Sequence, residues 1–250
     1  MNYIIFDLEF NQKHPDNKDI IDNNKNLLFE IIQIGAIKID SNFKTIESFD
    51  QLINPTVHTI LHPYVENLTN ININDLNLSK NFTEVFKSFV KFLGDDEVVL
   101  VVWGTSDIKE LLKNVDFYGM STSLVPNKYI DIQAYASKLF KYEKGTKIGL
   151  KSAVEKLEIN INGEFHNAFN DAYYTNEVFK KIYNKKEIKP CTYSLTLNKR
   201  VSNTPKEKSN LKELYAQFEK MYSKNLTKEE KSMIRLAYFM GKTNQFTDKK

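Results

Sequence analysis

Apolar residues gather in short runs along the first part of the chain, and the spacing within each run predicts its secondary structure. Residues 3–10 and 31–39 are rich in β-branched and aromatic side chains, which is typical of strands. A third strand is predicted at residues 45–53, ended by Asn54-Pro55. The polar residues 11–26 predict a solvated loop. Three successive strands favour an antiparallel meander along one side of a sheet.

Helical and strand patterns alternate over the following residues. Residues 98–102 form a continuous apolar run, as in a strand that is buried on both faces, and residues 130–132 predict another short strand. Apolar residues at helical spacing predict helices at 82–93, 107–114, 150–157 and 168–182. This order predicts an α/β fold with a mixed β-sheet and helices packed on it.

Composition and pattern change near residue 189. A Ser/Thr/Asn/Lys-rich stretch predicts a basic linker at residues 189–209, and two amphipathic stripes predict a small helical C-terminal extension at residues 210–250. Thr227-Lys228-Glu229-Glu230 resembles a capping box that opens the second of these helices. The predicted organisation is therefore a main domain of residues 1–188, a linker and the extension.

Charge is distributed unevenly between the body and the tail. Residues 1–190 carry a formal net charge of −4, whereas residues 191–250 carry +7. A basic tail beside an acidic body suits a polyanionic partner, although a solvated lysine-rich face is the commoner meaning of such a count. The linker residues that would contact the phosphates of a bound strand are Lys199, Arg200, Lys206 and Lys208. The alternatives are that the tail packs on the body or dimerises.

Several classes of protein are excluded by what the sequence lacks. The longest apolar run, Val98 to Trp103, is too short for a transmembrane helix, so no membrane association is expected. The N-terminus has no basic region before its apolar residues, which does not fit a secretory signal and favours a cytoplasmic location. Cys191 is the only cysteine, which excludes an intrachain disulfide and argues against a cysteine-built metal site.

Acidic residues and one histidine stand at three points where chemistry is possible. Asp7 and Glu9 are two residues apart on a predicted strand, so both project from the same face, roughly 7 Å apart. Asp107 follows the buried strand where a helix begins. His166 and Asp171 flank the first turn of the last helix of the body. Each residue also has an ordinary explanation, as a polar strand end, a helix N-terminal acid or a surface residue.

In this order and at this spacing, the three segments resemble the exonuclease motifs of the DEDDh 3′-to-5′ exonucleases. That family includes ribonuclease T, oligoribonuclease and the proofreading subunit of replicative polymerases. The matching motifs are Phe-Asp-Leu-Glu at 6–9, Trp-Gly-Thr-Ser-Asp at 103–107 and His-Asn-Ala-Phe-Asn-Asp-Ala at 166–172. The resemblance covers about residues 1–184 and includes the stretches 61–71 and 149–153.

The resemblance implies a ribonuclease H-like fold and a metal-dependent reaction. It implies that two divalent cations, Mg²⁺ or Mn²⁺, are held by Asp7, Glu9, Asp107 and Asp171, and that His166 is the general base. Two hard cations about 3.5 to 4 Å apart, held by carboxylate oxygens, suit phosphodiester hydrolysis. A histidine titrates near pH ~6.5, so neutral imidazole is available to accept a proton. In the sister group of these exonucleases, a tyrosine one position later in the motif replaces the histidine. This chain has Asn167 at that position.

The expected substrate is a single-stranded nucleic acid, with RNA favoured over DNA, cleaved from its 3′ end to release nucleoside 5′-monophosphates. Candidate substrate contacts are Phe10, Asn11, Leu61 and Tyr64. Asn11 departs from the threonine that the family often has at that position, and core packing is the competing interpretation of the three others. Two alternative functions are a catalytically inactive nucleic-acid-binding module of the same fold and a two-metal phosphatase acting on small nucleotides. The oligomeric state is left open.

Overall fold

The chain divides into two compact units, Met1–Leu197 and Asn198–Lys250. The computed structural model describes residues 1–12, 27–94, 97–143, 145–183, 188–193 and 211–242. The predicted loop at 11–26 falls mostly outside these residues, and the predicted linker lies outside them from residue 194 onward, together with its four basic candidates.

A six-stranded mixed sheet forms the centre of the first unit, with strand order β3-β2-β1-β4-β5-β6. The strands are β1 (Asn2–Gln12), β2 (Phe29–Ile39), β3 (Thr45–Leu52), β4 (Val98–Val102), β5 (Lys128–Asp131) and β6 (Cys191–Thr192). The first three strands pair antiparallel, as predicted, while β4 runs parallel to both β1 and β5. The mixed α/β fold predicted from the order of the elements is confirmed.

Helices cover both faces of this sheet. Those of the first unit are α1 (Pro63–Thr69), α2 (Ile73–Asn77), α3 (Phe82–Leu93), α4 (Ser106–Phe117), α5 (Ile132–Leu139), α6 (Leu150–Lys156) and α7 (Ala168–Ile182). On one face, α3 and α4 bury an aromatic-rich core against Ile4, Phe6 and Leu8 of β1. On the other face, α5, α6 and α7 pack on Tyr3 and Ile5. Successive β1 side chains therefore alternate between two cores.

The structure departs from the sequence predictions mainly at short elements. The helices α1 and α2 were not predicted; each spans fewer than eight residues and begins at a local cap, His62 or Asn72. The strand predicted at 130–132 instead covers Lys128–Asp131, because the Asp131 side chain accepts a hydrogen bond from Ala134 N and starts α5 at the next residue. The first residues of the predicted linker form β6, which pairs with β5.

The second unit contains the two predicted helices, α8 (Leu211–Tyr222) and α9 (Lys228–Lys242). Thr227 and Glu230 form the reciprocal hydrogen bonds of the predicted capping box at the start of α9. An apolar groove between the helices is lined by Leu214, Phe218, Met233, Ile234, Ala237 and Tyr238. None of the described helices is long and apolar enough to cross a membrane.

A glycine at the centre of β2 determines how closely α7 approaches the sheet. Gly35 pairs with Asp7 of β1, and the first turn of α7 lies directly above it. A Cβ atom at Gly35 would stand 2.1 Å from Phe169 N and 2.2 Å from the Ala168 carbonyl carbon, closer than any side chain tolerates. The absent side chain therefore allows the helix backbone to rest on the strand.

We predict that Gly35→Ala destabilises the protein, because the backbone of α7 would have to move away from β2. Overpacking of this kind costs about 1–3 kcal/mol. Urea unfolding should show a lower midpoint with an unchanged slope. Gly149→Ala is the matched control, because a Cβ at Gly149 meets no atom within 4 Å and its φ is −73°. Equal midpoints for the two variants would contradict the proposed close packing.

Candidate active site

Three separate segments of the chain converge at one edge of the sheet. Asp7 and Glu9 continue the face of β1 that α7 covers, and α7 packs on both β1 and β2. Because β4 runs parallel to β1, with Ile5 opposite Val101, its carboxyl end reaches the level of Asp7. The loop after β4 then starts α4, whose first turn carries Asp107. Asp171 lies in the first turn of α7.

The carboxylates of this cluster lie close together. One carboxylate oxygen from each of Asp7, Glu9 and Asp171 lies within 4.8 Å of the others. Asp107 is not in this closest group, but its charge raises the pKa of both Asp7 and Glu9. Glu9 and Asp107 are 9% and 8% exposed. Among the described residues, the buried Oδ1 of Asp171 has no hydrogen-bond partner.

Burial and mutual repulsion make the two β1 carboxylates hard to ionise. The pKa of Asp7 is raised well above its ordinary value, first by burial and then by the charges of Asp107, Asp171 and Glu9. Burial likewise raises the pKa of Glu9 to about 8, with further contributions from Asp171 and Asp107. Buried anions of this kind are normally compensated by a cation or by hydrogen-bond donors. The cluster thus favours a bound cation.

The two helix carboxylates are perturbed in the same direction. The pKa of Asp107 is raised to about 7. Burial is the largest cause; the hydrogen bond from its own backbone N–H lowers the pKa, and the charges of Asp171 and Glu110 raise it. Burial raises the pKa of Asp171 to about 6, and both the backbone N–H and the charge of His166 oppose this shift. All four predicted acidic residues therefore share one electrostatic environment.

His166 lies in a loop that is held against the start of α7. Its φ of 65° is in the left-handed region, and its backbone N–H donates to Asp171 Oδ2 at 3.2 Å. The Tyr174 hydroxyl bonds both the N–H and the carbonyl of Gly163, at 2.8 and 2.6 Å. Asn170 Nδ2 donates to the Glu164 carbonyl at 2.9 Å. His166 is exposed, and its backbone is held next to the carboxylate of Asp171.

Two positioning residues were missed by the sequence analysis. Gln33 is the cross-strand partner of Glu9, and its Oε1 accepts from Ala168 N while its Nε2 donates to Asp50. Gln33 thereby ties the start of α7 to the sheet beside the cluster. Tyr174 holds the His166 loop, as described above. The pairing of Gln33 with Glu9 would have identified Gln33, but the pattern of one strand does not reveal which residues oppose it in the next strand.

The four predicted substrate contacts occupy different environments. Tyr64 is 62% exposed near the start of α1, and Phe10 is partly buried against Phe29. Leu61 is 7% exposed and packs on the small core beneath α1 and α2. Asn11 is fully buried and hydrogen-bonds the backbone at residues 58, 60 and 62. Of these four residues, only Tyr64 exposes most of its surface to solvent.

Comparisons with known proteins place this arrangement in a family. The family model described as Exonuclease (RNase_T) matches residues 4–179. A search among curated proteins gave no significant match in sequence. Among solved structures, the nuclease domain of 3'hExo, a DEDDh family member bound to rAMP, is 18% identical, with a TM-score of 0.63 over 77% of this chain and 97% of that chain.

Two further structures share the fold at similar identity. Cell-death related nuclease 4 is 17% identical, with a TM-score of 0.60 over 76% of this chain and 66% of that chain. E. coli Exonuclease I in complex with a dT13 oligonucleotide is 15% identical, with a TM-score of 0.56 over 72% of this chain and 40% of that chain. The predicted ribonuclease H-like fold is thereby confirmed.

We predict that the metal-free protein loses stability as the pH rises from about 5 to about 8.5. The carboxyl groups at the site have folded-state pKa values above the ordinary values of about 4, so the folded state binds more protons than the unfolded state in this range. Thermal unfolding in a chelator should show a falling Tm, by about 2–4 °C for each kcal/mol lost.

Glu9→Gln is the control for this dependence, because it removes one of the repelling groups without changing its shape. The variant should unfold at a higher temperature than the parent at the upper pH and show a shallower pH dependence. Parallel Tm curves for the two proteins would contradict the electrostatic origin of the effect.

Proposed function

The chain belongs to the exonuclease family and is of the DEDDh type, and from this membership we propose a two-metal 3′-to-5′ exonuclease with a histidine general base. Metal-dependent exonuclease activity on nucleic acid is the property of the family. The finer proposal assigns Asp7, Glu9, Asp107 and Asp171 as metal ligands and His166 as the base. Single-stranded RNA is the proposed substrate, with nucleoside 5′-monophosphates as products.

The observation that carries this proposal is the convergence of the four acidic residues in one half-buried cluster. Oxygens bound to one Mg²⁺ stand about 2.0–2.1 Å from it, so two of them are at most roughly 4 Å apart. The oxygens of Asp7, Glu9 and Asp171, within 4.8 Å of one another, need little movement to bind a shared ion or a pair of ions. The Oδ1 of Asp171, which has no hydrogen-bond partner among the described residues, is available as a metal ligand.

Bound divalent cations would lower the pKa of an attacking water and stabilise the charge on the phosphate and on the departing sugar oxygen. The residues of the chain supply the remaining steps. The imidazole of His166 accepts the proton of the attacking water. The backbone bond from His166 to Asp171, with Tyr174 and Asn170 bonding the same loop, supports this role because it holds the backbone of the proposed base against the start of α7.

On the substrate side, Tyr64, Leu61 and Phe10 are the proposed contacts to the terminal bases. Exposed aromatic rings stack on any base, which suits an enzyme that removes nucleotides one after another. The neighbouring structures were solved with RNA components or with DNA, so their contents do not rank the two substrates. The preference for RNA rests on the resemblance to the stand-alone members of the family. A cytoplasmic location likewise stays a prediction.

We predict that the purified protein with Mg²⁺ or Mn²⁺ shortens a 5′-labelled single strand stepwise from its 3′ end. RNA and DNA of equal sequence, run side by side, would rank the substrates, and a circular strand should remain intact. Asp7→Asn should reduce the rate by at least about 10³-fold, since the site loses a central ligand. Asp116→Asn, the same change at an exposed position of α4, is the matched control.

The same assay separates the alternatives. Cleavage of a small mononucleotide ester without any shortening of the oligonucleotide would favour a phosphatase. Binding without turnover would favour an inactive module. Near-normal rates in a folded Asp7→Asn variant would overturn the assignment of the metal site.

We predict that His166→Ala lowers the rate about 10²- to 10⁴-fold, the usual contribution of a general base. The increase in Tm produced by Mn²⁺ should be retained, because the four carboxylates are unchanged. The measurement is the rate across a pH series together with thermal unfolding in the presence of Mn²⁺. An unaltered dependence of the rate on pH would remove His166 from the role of base.

A further inference from the structure

Two fully buried polar residues lie opposite each other at the end of the β1–β2 ladder. Asn11 and Glu30 are cross-strand partners, and both are 0% exposed. They follow a β-bulge, where the pairing shifts between Glu9 and Phe10. Bulges beside active sites re-aim the side chains that follow them. Here the two side chains turn toward the segment that connects β3 with α1, residues 53–62.

Glu30 accepts hydrogen bonds from successive backbone groups of that segment. Its Oε1 accepts from Thr56 N at 2.6 Å and from Val57 N at 3.0 Å, and its Oε2 accepts from His58 N at 2.6 Å. The Tyr118 hydroxyl donates to the same carboxylate. A buried carboxylate is stable only when such donors surround it, and each charged hydrogen bond of this kind is strong.

Asn11 holds the remainder of the segment. Its Nδ2 donates to the carbonyl of His58 at 2.7 Å and to that of Ile60 at 3.0 Å, while its Oδ1 accepts from His62 N at 3.0 Å. All three atoms belong to the backbone. His62 is in turn the N-cap of α1, where its Nδ1 accepts from Tyr64 N. The chain of bonds therefore runs from the end of β1 to the helix that carries Tyr64.

We propose that Asn11 and Glu30 are positioning residues that fix the segment 56–62, and through it Leu61 and Tyr64, for binding of the substrate's terminal bases. The inference rests on the proposed function and assigns Asn11 an indirect role in place of the direct substrate contact expected from the sequence. Every polar atom of the Asn11 side chain is already engaged within the protein, and none is exposed. Contact with substrate therefore passes through the backbone that Asn11 holds.

The main test compares Asn11→Asp with the parent protein. The substitution keeps the oxygen that faces His62 N and replaces the two donors with an oxygen that faces two carbonyls. We expect the Kd for a short oligonucleotide with a non-hydrolysable terminal linkage to rise about 10-fold, equivalent to about 1.4 kcal/mol. With a cleavable oligonucleotide, KM should rise by the same factor while kcat changes less than about 3-fold, as expected for lost ground-state binding.

Asn114→Asp is the matched control for loss of a buried amide. Asn114 is also 0% exposed, and it makes the same pattern of bonds, donating to the carbonyls of Phe29 and Glu110 and accepting from Ile31 N. Its partners are the backbone of Phe29 and Ile31, on either side of Glu30 in β2, and of Glu110 in α4, and none of them lies in the segment 56–62. It should lower stability without the selective rise in Kd. Amide hydrogen exchange should accelerate across residues 56–62 in Asn11→Asp but not in Asn114→Asp.

A second variant and a coupling measurement complete the design. Glu30→Gln, which places an amide against the N–H groups of the segment, should reproduce the rise in Kd even if Asn11→Asp does not fold. Tyr64→Ala should weaken binding less in the Asn11→Asp background than in the parent, because the ring would already be displaced. Unchanged Kd values in both Asn11→Asp and Glu30→Gln would overturn the inference. So would effects of Asn11→Asp and Tyr64→Ala on the binding free energy that are fully additive. Absence of turnover by the parent would instead refute the proposed function.

Discussion

Mutual repulsion in a cluster of four buried or half-buried carboxylates is the constraint around which this fold is arranged. Asp7, Glu9, Asp107 and Asp171 come from a strand and two helices. Burial raises the pKa of each, and like charges raise those of Asp7, Glu9 and Asp107 further. Such a cluster does not form for its own stability. It persists because the two apolar cores on either side of the sheet fix the backbones that carry it. The stability of the body thus maintains an unfavourable centre, as is usual at functional sites.

Close contact between α7 and the sheet determines where the residues of α7 stand relative to the carboxylates of β1. Gly35 lets the first turn of α7 rest on β2, and Gln33, the cross-strand partner of Glu9, accepts a hydrogen bond from the Ala168 amide. The contacts of α7 with β2 therefore place Asp171, and the side-chain bonds of Asp171, Asn170 and Tyr174 hold the His166 loop against the same helix. A small displacement of this helix would move a proposed ligand and the proposed base together.

The sequence predicted those parts of the structure that depend on local periodicity. Alternation along β1 was sufficient to place Asp7 and Glu9 on one face, and the apolar run of β4 was sufficient to place Asp107 at a strand end. The departures depend on contacts between distant residues or on single caps. The bulge after Glu9 sets which residues oppose Asn11, and no pattern within β1 reveals it. The Asp131 cap likewise ended β5 one residue before the predicted boundary.

Glu30 and the acidic cluster show two different solutions to the same physical problem. Both involve carboxylates removed from water near the end of β1. Glu30 is surrounded by backbone N–H groups and a tyrosine hydroxyl, whereas Asp171 has a buried oxygen with no partner in the part of the chain that the structure describes. A carboxylate with satisfied oxygens has no capacity left for a cation, and it serves to fix a loop. A carboxylate with unsatisfied oxygens in a group of like charges is stabilised by a cation from outside the protein. Hydrogen-bond satisfaction, rather than burial or residue type, therefore distinguishes Glu30, proposed to position the substrate side, from Asp171, proposed to hold a cation.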